Sequence, residues 1–334
     1  MTESNQNKKY LIQKPDFECS KESSEKIHSE AFSLFLFGLS AGFYGISGFH
    51  LKYIQYYFKK DYNVFSFGIW RYISMTILVY AYMKYKEIEI DDYRKLSETG
   101  KHWFIVRTVG SLISLVLYML SLEYLRVSTA NCFVSMSPAA ILIISTVLLK
   151  EKFHWRYPIG ISFCFIGVLM IISNENVTNV IDNTQESSFD VLIGIIWGSM
   201  NLITIALLYV SSKKLHIEKF EQENQCLYIA VSNLIISFVI AILTRKLNFS
   251  FYYIFMSSLN AILFLAATFL NIFSLRGVEL NKTTALNYLT IVVSTFLSII
   301  FLGESLFFTD VLGSLIILGY NIYNSLYPIV DSNN

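Results

Sequence analysis

The polar residues best suited to binding a small molecule lie inside the most apolar stretches of this 334-residue chain. The third of these stretches carries five of them at steps of four, three, four and three residues: Arg107, Ser111, Ser114, Tyr118 and Ser121. On an α-helix this spacing places all five side chains on one face. Because polar groups are costly at membrane depth, such a face turns toward the protein interior or a wet cavity. The pattern therefore predicts a surface that contacts a polar ligand.

Comparable polar faces occur in five other apolar stretches, so that each half of the chain contributes three. The residues predicted to bind substrate are Arg107, Tyr118, Asn131, Ser135, Asn201, Asn260, Asn271, Tyr288 and Tyr44. The alternative is that these small and amide side chains hold neighbouring helices together by hydrogen bonds and close packing. From the sequence, both interpretations stay open.

Two arginines bear most directly on the class of substrate. Arg71 and Arg107 each lie several residues inside an apolar stretch. Each guanidinium could bind a carboxylate or phosphate through paired hydrogen bonds, or could extend along the helix to reach the membrane surface. We assign Arg71 a structural role and Arg107, which begins a polar face, a role in binding an anion.

Acidic residues are placed at the ends of the apolar stretches rather than at their centres. Glu151 and Glu304 stand at loop junctions, where they are expected to bond to helix ends or gate residues. Proton relays within membranes use buried carboxylates or histidines, and His50 is the one marginal candidate. Exchange or facilitated diffusion is therefore favoured over proton coupling.

Several kinds of catalytic or metal chemistry are disfavoured. The four cysteines (Cys19, Cys132, Cys164 and Cys226) show neither zinc-site spacing nor a disulfide pattern. The segment 38–42 reads GLSAG, a GxSxG pattern that in hydrolases presents a serine nucleophile, here Ser40. The one histidine near membrane depth is His50, about 15 Å along the same helix, which is too far to activate Ser40. We expect no enzymatic activity, no cofactor and no metal.

Composition identifies the elements that must carry these residues. Hydrophobic residues make up 54% of the chain and charged residues only 15%, and the mean hydropathy is +0.49. Soluble domains contain about 25% charged residues, so this chain is predicted to span a lipid bilayer. A net charge of +1 excludes nucleic-acid binding by bulk charge.

A helix crosses the bilayer with about 20 mainly apolar residues, and ten such stretches can be found. They lie near 31–57, 64–84, 102–124, 127–149, 156–173, 189–212, 226–243, 252–275, 279–302 and 307–327. If the N-terminus is cytosolic, the inner segments hold 18 Lys and Arg residues and the outer segments hold five. The positive-inside rule therefore places both termini in the cytosol, and the polar tails 1–30 and 328–334 are expected to be disordered there.

The chain also contains an internal repeat. Segments 125–160 and 278–313 align without a gap at an offset of 153 residues, which pairs Glu151 with Glu304 and Gly160 with Gly313. Five spans per copy is an odd number, so the second copy must enter the membrane in the opposite orientation, as in many carriers. The predicted fold is an all-α integral membrane protein of ten transmembrane helices in two inverted five-helix repeats, 31–173 and 189–327, joined by a polar linker at 174–188.

At these residues the chain resembles the EamA-type members of the drug/metabolite transporter superfamily. The similarity lies in LLKEKFHWRYPIGISFCFIGVLMII (148–172), its partner IFLGESLFFTDVLGSLIILG (300–319), the junction LYMLSLEYLRVSTA (117–130), Pro138 of FVSMSPAAIL and Arg71 of FGIWRYISM. The second copy departs from the pattern with Ile291 in place of Pro138 and Tyr320 in place of Gly167. The resemblance implies ten helices around a central cavity and transport of small organic metabolites. It gives Arg71, Pro138, Glu151, Glu304, Gly160 and Gly313 structural or gating roles.

The sequence thus predicts a carrier that moves a small polar organic metabolite by alternating access. An anionic substrate is slightly favoured because of Arg107, and the expected partners are this substrate and the lipid bilayer, without nucleic acid. The alternatives are a non-transporting receptor or interaction partner and an intramembrane hydrolase that uses Ser40. Substrate identity, oligomeric state and the choice between plasma and organelle membrane are not encoded in any pattern found.

Overall fold

The fold is all-helical in the part of the chain that the structure describes. A computed structural model describes residues 30–59, 62–137, 140–141, 143–144, 148, 156–172, 188–245, 247–275, 289–304 and 307–326. These ranges contain ten α-helices and a short 3-10 helix at Tyr93–Lys95, and no strand.

Each described helix falls on one predicted span, in order. The helices are α1 (Glu30–Tyr57), α2 (Val64–Tyr85), α3 (Glu98–Tyr124), α4 (Val127–Ser135), α5 (Arg156–Ile172), α6 (Ser188–Ile217), α7 (Gln222–Thr244), α8 (Phe251–Leu275), α9 (Leu289–Leu302) and α10 (Phe308–Leu326). Six of them (α1, α2, α3, α6, α7 and α8) are long and apolar enough to cross a membrane. The multi-pass membrane fold is therefore confirmed, whereas the number of ten spans stays a prediction.

Some predicted features lie outside the described residues. They are most of the 1–30 tail, most of the 174–188 linker, the 328–334 tail, Pro138, Glu151 and Tyr288.

Side-chain caps explain where two of the helices begin. The Asn63 side chain accepts hydrogen bonds from the backbone N–H groups of Phe65 and Ser66, both at 3.0 Å. The Ser97 hydroxyl accepts one from Gly100 N–H at 2.9 Å. Both residue types satisfy the otherwise unpaired N–H groups of a first helical turn. These caps fix the start of α2 and α3 and so set the depth of the arginines that each helix carries.

Helix packing has the symmetry that a repeated unit predicts. The contact between α1 and α8 corresponds to the contact between α6 and α3. In the same way, the α2–α8 contact corresponds to α7–α3, and the α1–α9 contact corresponds to α6–α4. The pairs α2–α7, α4–α9 and α5–α10 each join a helix to its own equivalent. Exchanging every helix with the one five positions later therefore maps these contacts onto one another. The sets α1–α5 and α6–α10 are called the two halves below.

The repeat extends to single hydrogen bonds. Ser121 and Ser274 are 153 residues apart, and each hydroxyl donates at 2.7 Å to the carbonyl three residues earlier. Arg107 and Asn260 are related by the same offset, and each donates to a backbone carbonyl of the helix packed against it. Repeat-related positions thus make the same kind of hydrogen bond, even where the residue types differ.

The outer surface of the bundle is apolar. Large side chains such as Ile77, Ile105, Ile203 and Phe238 are about half or more exposed on four different helices. Many buried positions on those helices are polar, among them Thr108, Asn201 and Asn233. This apolar-outside arrangement matches a lipid environment.

Candidate functional site

An arginine and two aromatic rings meet where α1, α2 and α8 pack together. The Arg71 guanidinium lies over the Phe264 ring, 4.6 Å from its centroid. The Tyr44 ring meets the same phenylalanine edge-on at 5.7 Å, and the Tyr44 hydroxyl is 3.1 Å from Thr268 Oγ1. Arg71 is 5% exposed, so its side chain lies inside the bundle rather than reaching the membrane surface.

The second arginine of interest, Arg107, lies on α3. Its Nη1 donates to the Leu208 carbonyl of α6 at 3.2 Å, while its Nε is buried without a hydrogen-bond partner. Tyr44 and Arg71 pack against the same Phe264 ring. The structure therefore places one predicted site residue, Tyr44, beside Arg71 through the Phe264 ring, whereas the printed contact of Arg107 is with α6.

A second polar group joins α3, α4 and α9. The Tyr118 hydroxyl donates to Asn131 Oδ1 at 2.7 Å, and Asn131 Nδ2 donates to Ser294 Oγ at 2.6 Å. Gly48 of α1 packs on this pair: a Cβ atom at Gly48 would lie 2.8 Å from the Tyr118 oxygen. Tyr118 keeps part of its surface exposed, whereas Asn131 is buried. This group bridges the two halves.

Two further asparagines predicted to bind substrate are buried in helix contacts. Asn201 of α6 accepts a hydrogen bond from Ser114 at 2.7 Å. Asn260 of α8 donates to the Ser47 carbonyl at 3.0 Å and lies 3.5 Å from His50 Nδ1. In this conformation both side chains hold helices together, which is the packing alternative that the sequence left open.

The remaining predicted residues are more scattered. Asn271 lies partly exposed on α8, where its carbonyl accepts the Ser274 hydroxyl, and Ser135 is buried at the end of α4. Gly160 lies within α5. At Gly313 the backbone of α10 closely approaches the Gly167 carbonyl of α5, and this contact requires a residue without a side chain.

Charged residues connect the two halves at the end of the bundle where α3 stops and α4 begins, called the Arg126 end below. Arg126 Nη1 lies 2.9 Å from Asp310 Oδ2, and both side chains are buried. Glu304 Oε1 accepts a hydrogen bond from the Val127 N–H at 3.2 Å, which places a carboxylate at the N-terminus of α4. Gly303, with φ of +68°, makes the left-handed turn that precedes Glu304.

Different groups connect the halves at the opposite end, called the Glu218 end. The Ser97 hydroxyl donates to Glu218 Oε1 at 2.6 Å. Asn224 Nδ2 donates to Asp91 Oδ2 at 3.0 Å, and the Tyr228 hydroxyl donates to the Asp91 carbonyl at 3.0 Å. Both ends of the bundle are therefore held by polar contacts between the halves.

Several of these residues were not singled out from the sequence. Phe264, Thr268 and Ser294 complete the groups around Tyr44 and Asn131, and Arg126 pairs with Asp310. The ion pair joins residues 184 positions apart, and no spacing rule connects such positions. For Phe264 a signal did exist, because it is the repeat equivalent of Ser111 on the polar face of α3.

The Ser40 hydroxyl is engaged in packing. It is buried and donates to the Ala267 carbonyl of α8 at 2.7 Å. His50 instead contacts Met256 Sδ and Asn260. These contacts give the GxSxG segment a role in joining α1 to α8 and do not prepare a nucleophile.

Comparison with known proteins agrees with this architecture. The EamA-like transporter family matches residues 31–173, which confirms the resemblance to EamA-type members of the drug/metabolite transporter superfamily. Two proteins from strains of Helicobacter pylori, each named only as an uncharacterized transporter, are 26% identical over 172 residues. That alignment covers 52% of this chain and 52% of each relative, so it spans about half the length of the curated relatives. A protein of known crystal structure shares the fold, with 12% identity, a TM-score of 0.62 and coverage of 89% of this chain and 99% of that one.

Proposed function

We propose that this EamA-type chain is a membrane transporter that moves a small polar organic anion by alternating access. The family match and the relatives named as transporters support transport as the activity. The observation that carries the anionic substrate is Arg107, which lies inside the bundle with no carboxylate partner in the described residues.

The charge of Arg107 is the central point of the argument. It lies nine residues from the start of α3 and five residues inside the predicted span 102–124, about 8 Å along the helix axis. The ionisable groups that act on it electrostatically are Cys226, Tyr209 and Tyr44, which are uncharged at neutral pH. A cation at such depth is costly unless a counter-charge arrives. A bound carboxylate or phosphate supplies that counter-charge, and the guanidinium edge fits either group.

The packing of the halves supports the alternating part of the proposal. The Arg126 and Glu218 ends are joined by separate sets of contacts between the halves, so each end can open while the other remains closed. The inverted repeat offers two mirrored arrangements of the same units. Because no buried carboxylate faces Arg107 or Arg71 in the described residues, we favour exchange or facilitated diffusion over proton coupling.

Ligand binding to purified protein in detergent tests the substrate class. Wild-type protein is heated with nucleotide sugars, sugar phosphates, carboxylates, amino acids or purines, and the unfolding temperature is recorded. A ligand at 100 times its dissociation constant stabilises the native state by about 2.7 kcal/mol. We expect stabilisation by at least one anionic class, and its loss in Arg107→Ala.

The matched control is Arg245→Ala, which removes an exposed arginine from the loop after α7. It is expected to retain the full ligand-induced shift. A folded Arg107→Ala protein that keeps the shift would show that Arg107 does not bind the anion, and stabilisation by uncharged ligands alone would contradict the anionic assignment.

A further inference from the structure

One serine at the Glu218 end is exposed and also contacts the other half directly. Ser97 stands immediately before α3 and is exposed. Its hydroxyl donates to Glu218 Oε1 at 2.6 Å, and its backbone N–H donates to Glu218 Oε2 at 3.1 Å. The same hydroxyl accepts a hydrogen bond from the Gly100 N–H at 2.9 Å and so caps α3. One hydroxyl group therefore both starts a helix of the first half and binds a carboxylate of the second half.

The turn that follows α6 fixes the position of the Glu218 carboxylate. Lys219 adopts a left-handed conformation, with φ of +62°, and the Phe220 N–H donates to the Leu215 carbonyl at 3.0 Å. The Phe220 side chain is buried, which anchors the turn. A Cβ atom at Gly100 would overlap the Glu218 carboxylate. The carboxylate thus lies close against the first turn of α3.

The residues before Ser97 form a pattern that is typical of protein-kinase substrates. Segment 94–98 reads RKLSE, which places Arg94 and Lys95 three and two positions before the serine. Both basic side chains are exposed. Basic-directed serine/threonine kinases select their substrates by such charge patterns. The Glu218 end is also the end that the distribution of lysine and arginine predicts to be cytosolic, where ATP is available.

We propose that Ser97 is a phosphorylation site, and that its modification by a basic-directed protein kinase weakens the contact between the two halves at the Glu218 end. The γ-phosphoryl group of ATP is transferred to Ser97 Oγ, the hydroxyl proton passes to the kinase, and ADP leaves. The hydrogen bond to Glu218 Oε1 is lost with that proton. The phosphate also brings about −1.5 to −2 charges next to the carboxylate.

The phosphate is compatible with α3 but not with the bound Glu218. Anionic groups are stabilised at a helix N-terminus, so the start of α3 is retained. Glu218 belongs to the loop after α6, and repulsion between like charges drives it away from Ser97. Two basic and two acidic side chains line the same surface depression as Glu218, and their charges offset one another: Lys95, Lys219, Asp91 and Asp92. The expected result is a weaker contact between the halves with α3 intact.

Phosphorylation of the purified protein tests the site itself. Protein in detergent is incubated with ATP and the catalytic subunit of a cyclic-AMP-dependent protein kinase, and modified residues are mapped by mass spectrometry. We expect modification of Ser97 in wild type, its absence in Ser97→Ala, and at least a tenfold slower reaction when Arg94→Gln is combined with Lys95→Gln. Folded wild-type protein that stays unmodified at Ser97, or an equal rate without the two basic residues, would overturn the assignment.

Hydrogen exchange followed by mass spectrometry tests the consequence. In the phosphorylated protein, the amides of segment 215–222 are expected to exchange at least threefold faster than in the unmodified protein. Segment 126–133, at the Arg126 end, should keep its rate. An unchanged rate at 215–222 after complete phosphorylation would show that the modification does not weaken the contact.

Two substitutions at Ser97 separate the effect of charge from the effect of the cap. Aspartate and asparagine both cap helices well, but only aspartate is charged. We expect Ser97→Asp to reproduce the faster exchange at 215–222 and Ser97→Asn to keep the wild-type rate. Adding Glu218→Gln to Ser97→Asp removes the repulsion and should restore that rate.

Equal exchange in Ser97→Asp and Ser97→Asn, or no recovery with Glu218→Gln, would contradict repulsion between Ser97 and Glu218 as the cause. All of these readouts are made without a substrate. The phosphorylation site can therefore fail while the proposed transport of an anion stands, and the reverse.

Discussion

At the scale of single residues, the described structure separates arginines with a protein counter-charge from arginines without one. Arg126 has Asp310, whereas Arg71 and Arg107 have aromatic rings, a backbone carbonyl and neutral hydroxyl or thiol groups around them. Sequence reasoning identified Arg71 and Arg107 because an arginine within an apolar run is conspicuous. It did not single out Arg126, because its partner lies in the other half of the chain and a single sequence does not reveal that pairing.

The buried ion pair predicts an asymmetric response to mutation. Asp310→Asn leaves Arg126 charged and uncompensated, and breaking one partner of a buried pair costs about 3–5 kcal/mol. Replacing both residues, as in Arg126→Met with Asp310→Leu, is expected to recover much of this loss. Thermal unfolding in detergent measures both effects.

The control for this pair is Lys101→Ala, which breaks the Glu98–Lys101 pair at the surface. Exposed pairs contribute little, so no measurable change in unfolding temperature is expected. If Asp310→Asn behaved like Lys101→Ala, the Arg126–Asp310 pair would be irrelevant to stability.

At the scale of helices, the sequence predicted well where each helix lies along the chain, but it did not predict which side chains join one helix to another. The starts and ends of α2, α5, α8 and α10 agree with the predicted spans to within one residue, because apolar run length and capping residues are local properties. The side chains of Asn201 and Asn260 turned out to join helices, and local patterns cannot distinguish this use from ligand binding. The choice depends on which helix faces them.

Close contact of α1 with its neighbours predicts different tolerances at three glycines of one helix. A Cβ atom at Gly45 would lie 2.6 Å from the Thr290 carbonyl of α9, whereas one at Gly42 would meet nothing within 4 Å. We expect Gly45→Ala to lower the unfolding temperature by several degrees and Gly48→Ala to do the same through Tyr118. Gly42→Ala should leave it unchanged or raise it, since alanine favours helix.

Size-exclusion profiles and unfolding curves of the three variants provide the comparison. Equal stability of Gly42→Ala and Gly45→Ala would mean that α1 does not pack on α9 as the structure has it.

At the scale of the whole molecule, the contacts between the halves predict which parts must separate. If transport requires the two halves to separate at the Arg126 end, a covalent cross-link between them at that end should stop exchange. In a background without native cysteines, Arg126→Cys with Asp310→Cys is treated with a short bismaleimide, and we expect most of the flux to be lost. Either single-cysteine variant under the same treatment should retain its flux, and a cross-linked protein with undiminished flux would exclude opening at this end.

The distribution of lysine and arginine predicts which side of the membrane each end faces. Both termini and the Glu218 end should be cytosolic, and the Arg126 end should face away from the cytosol. A membrane-impermeant maleimide applied to intact cells is expected to label Asn248→Cys, in the loop before α8, and not Ser4→Cys, near the N-terminus. Both sites should react after permeabilisation, and the reverse pattern in intact cells would invert the topology.

Counterflow in proteoliposomes tests the central claim most directly. Vesicles are loaded with an unlabelled organic anion from the class that stabilises the protein, diluted into the labelled form, and uptake is followed for wild type, Arg107→Ala and Arg245→Ala. The account predicts transient accumulation of label with wild type and Arg245→Ala, and at least a tenfold loss with Arg107→Ala. Accumulation that is undiminished in a folded Arg107→Ala protein, or no flux of any anion that binds the wild type, would contradict it.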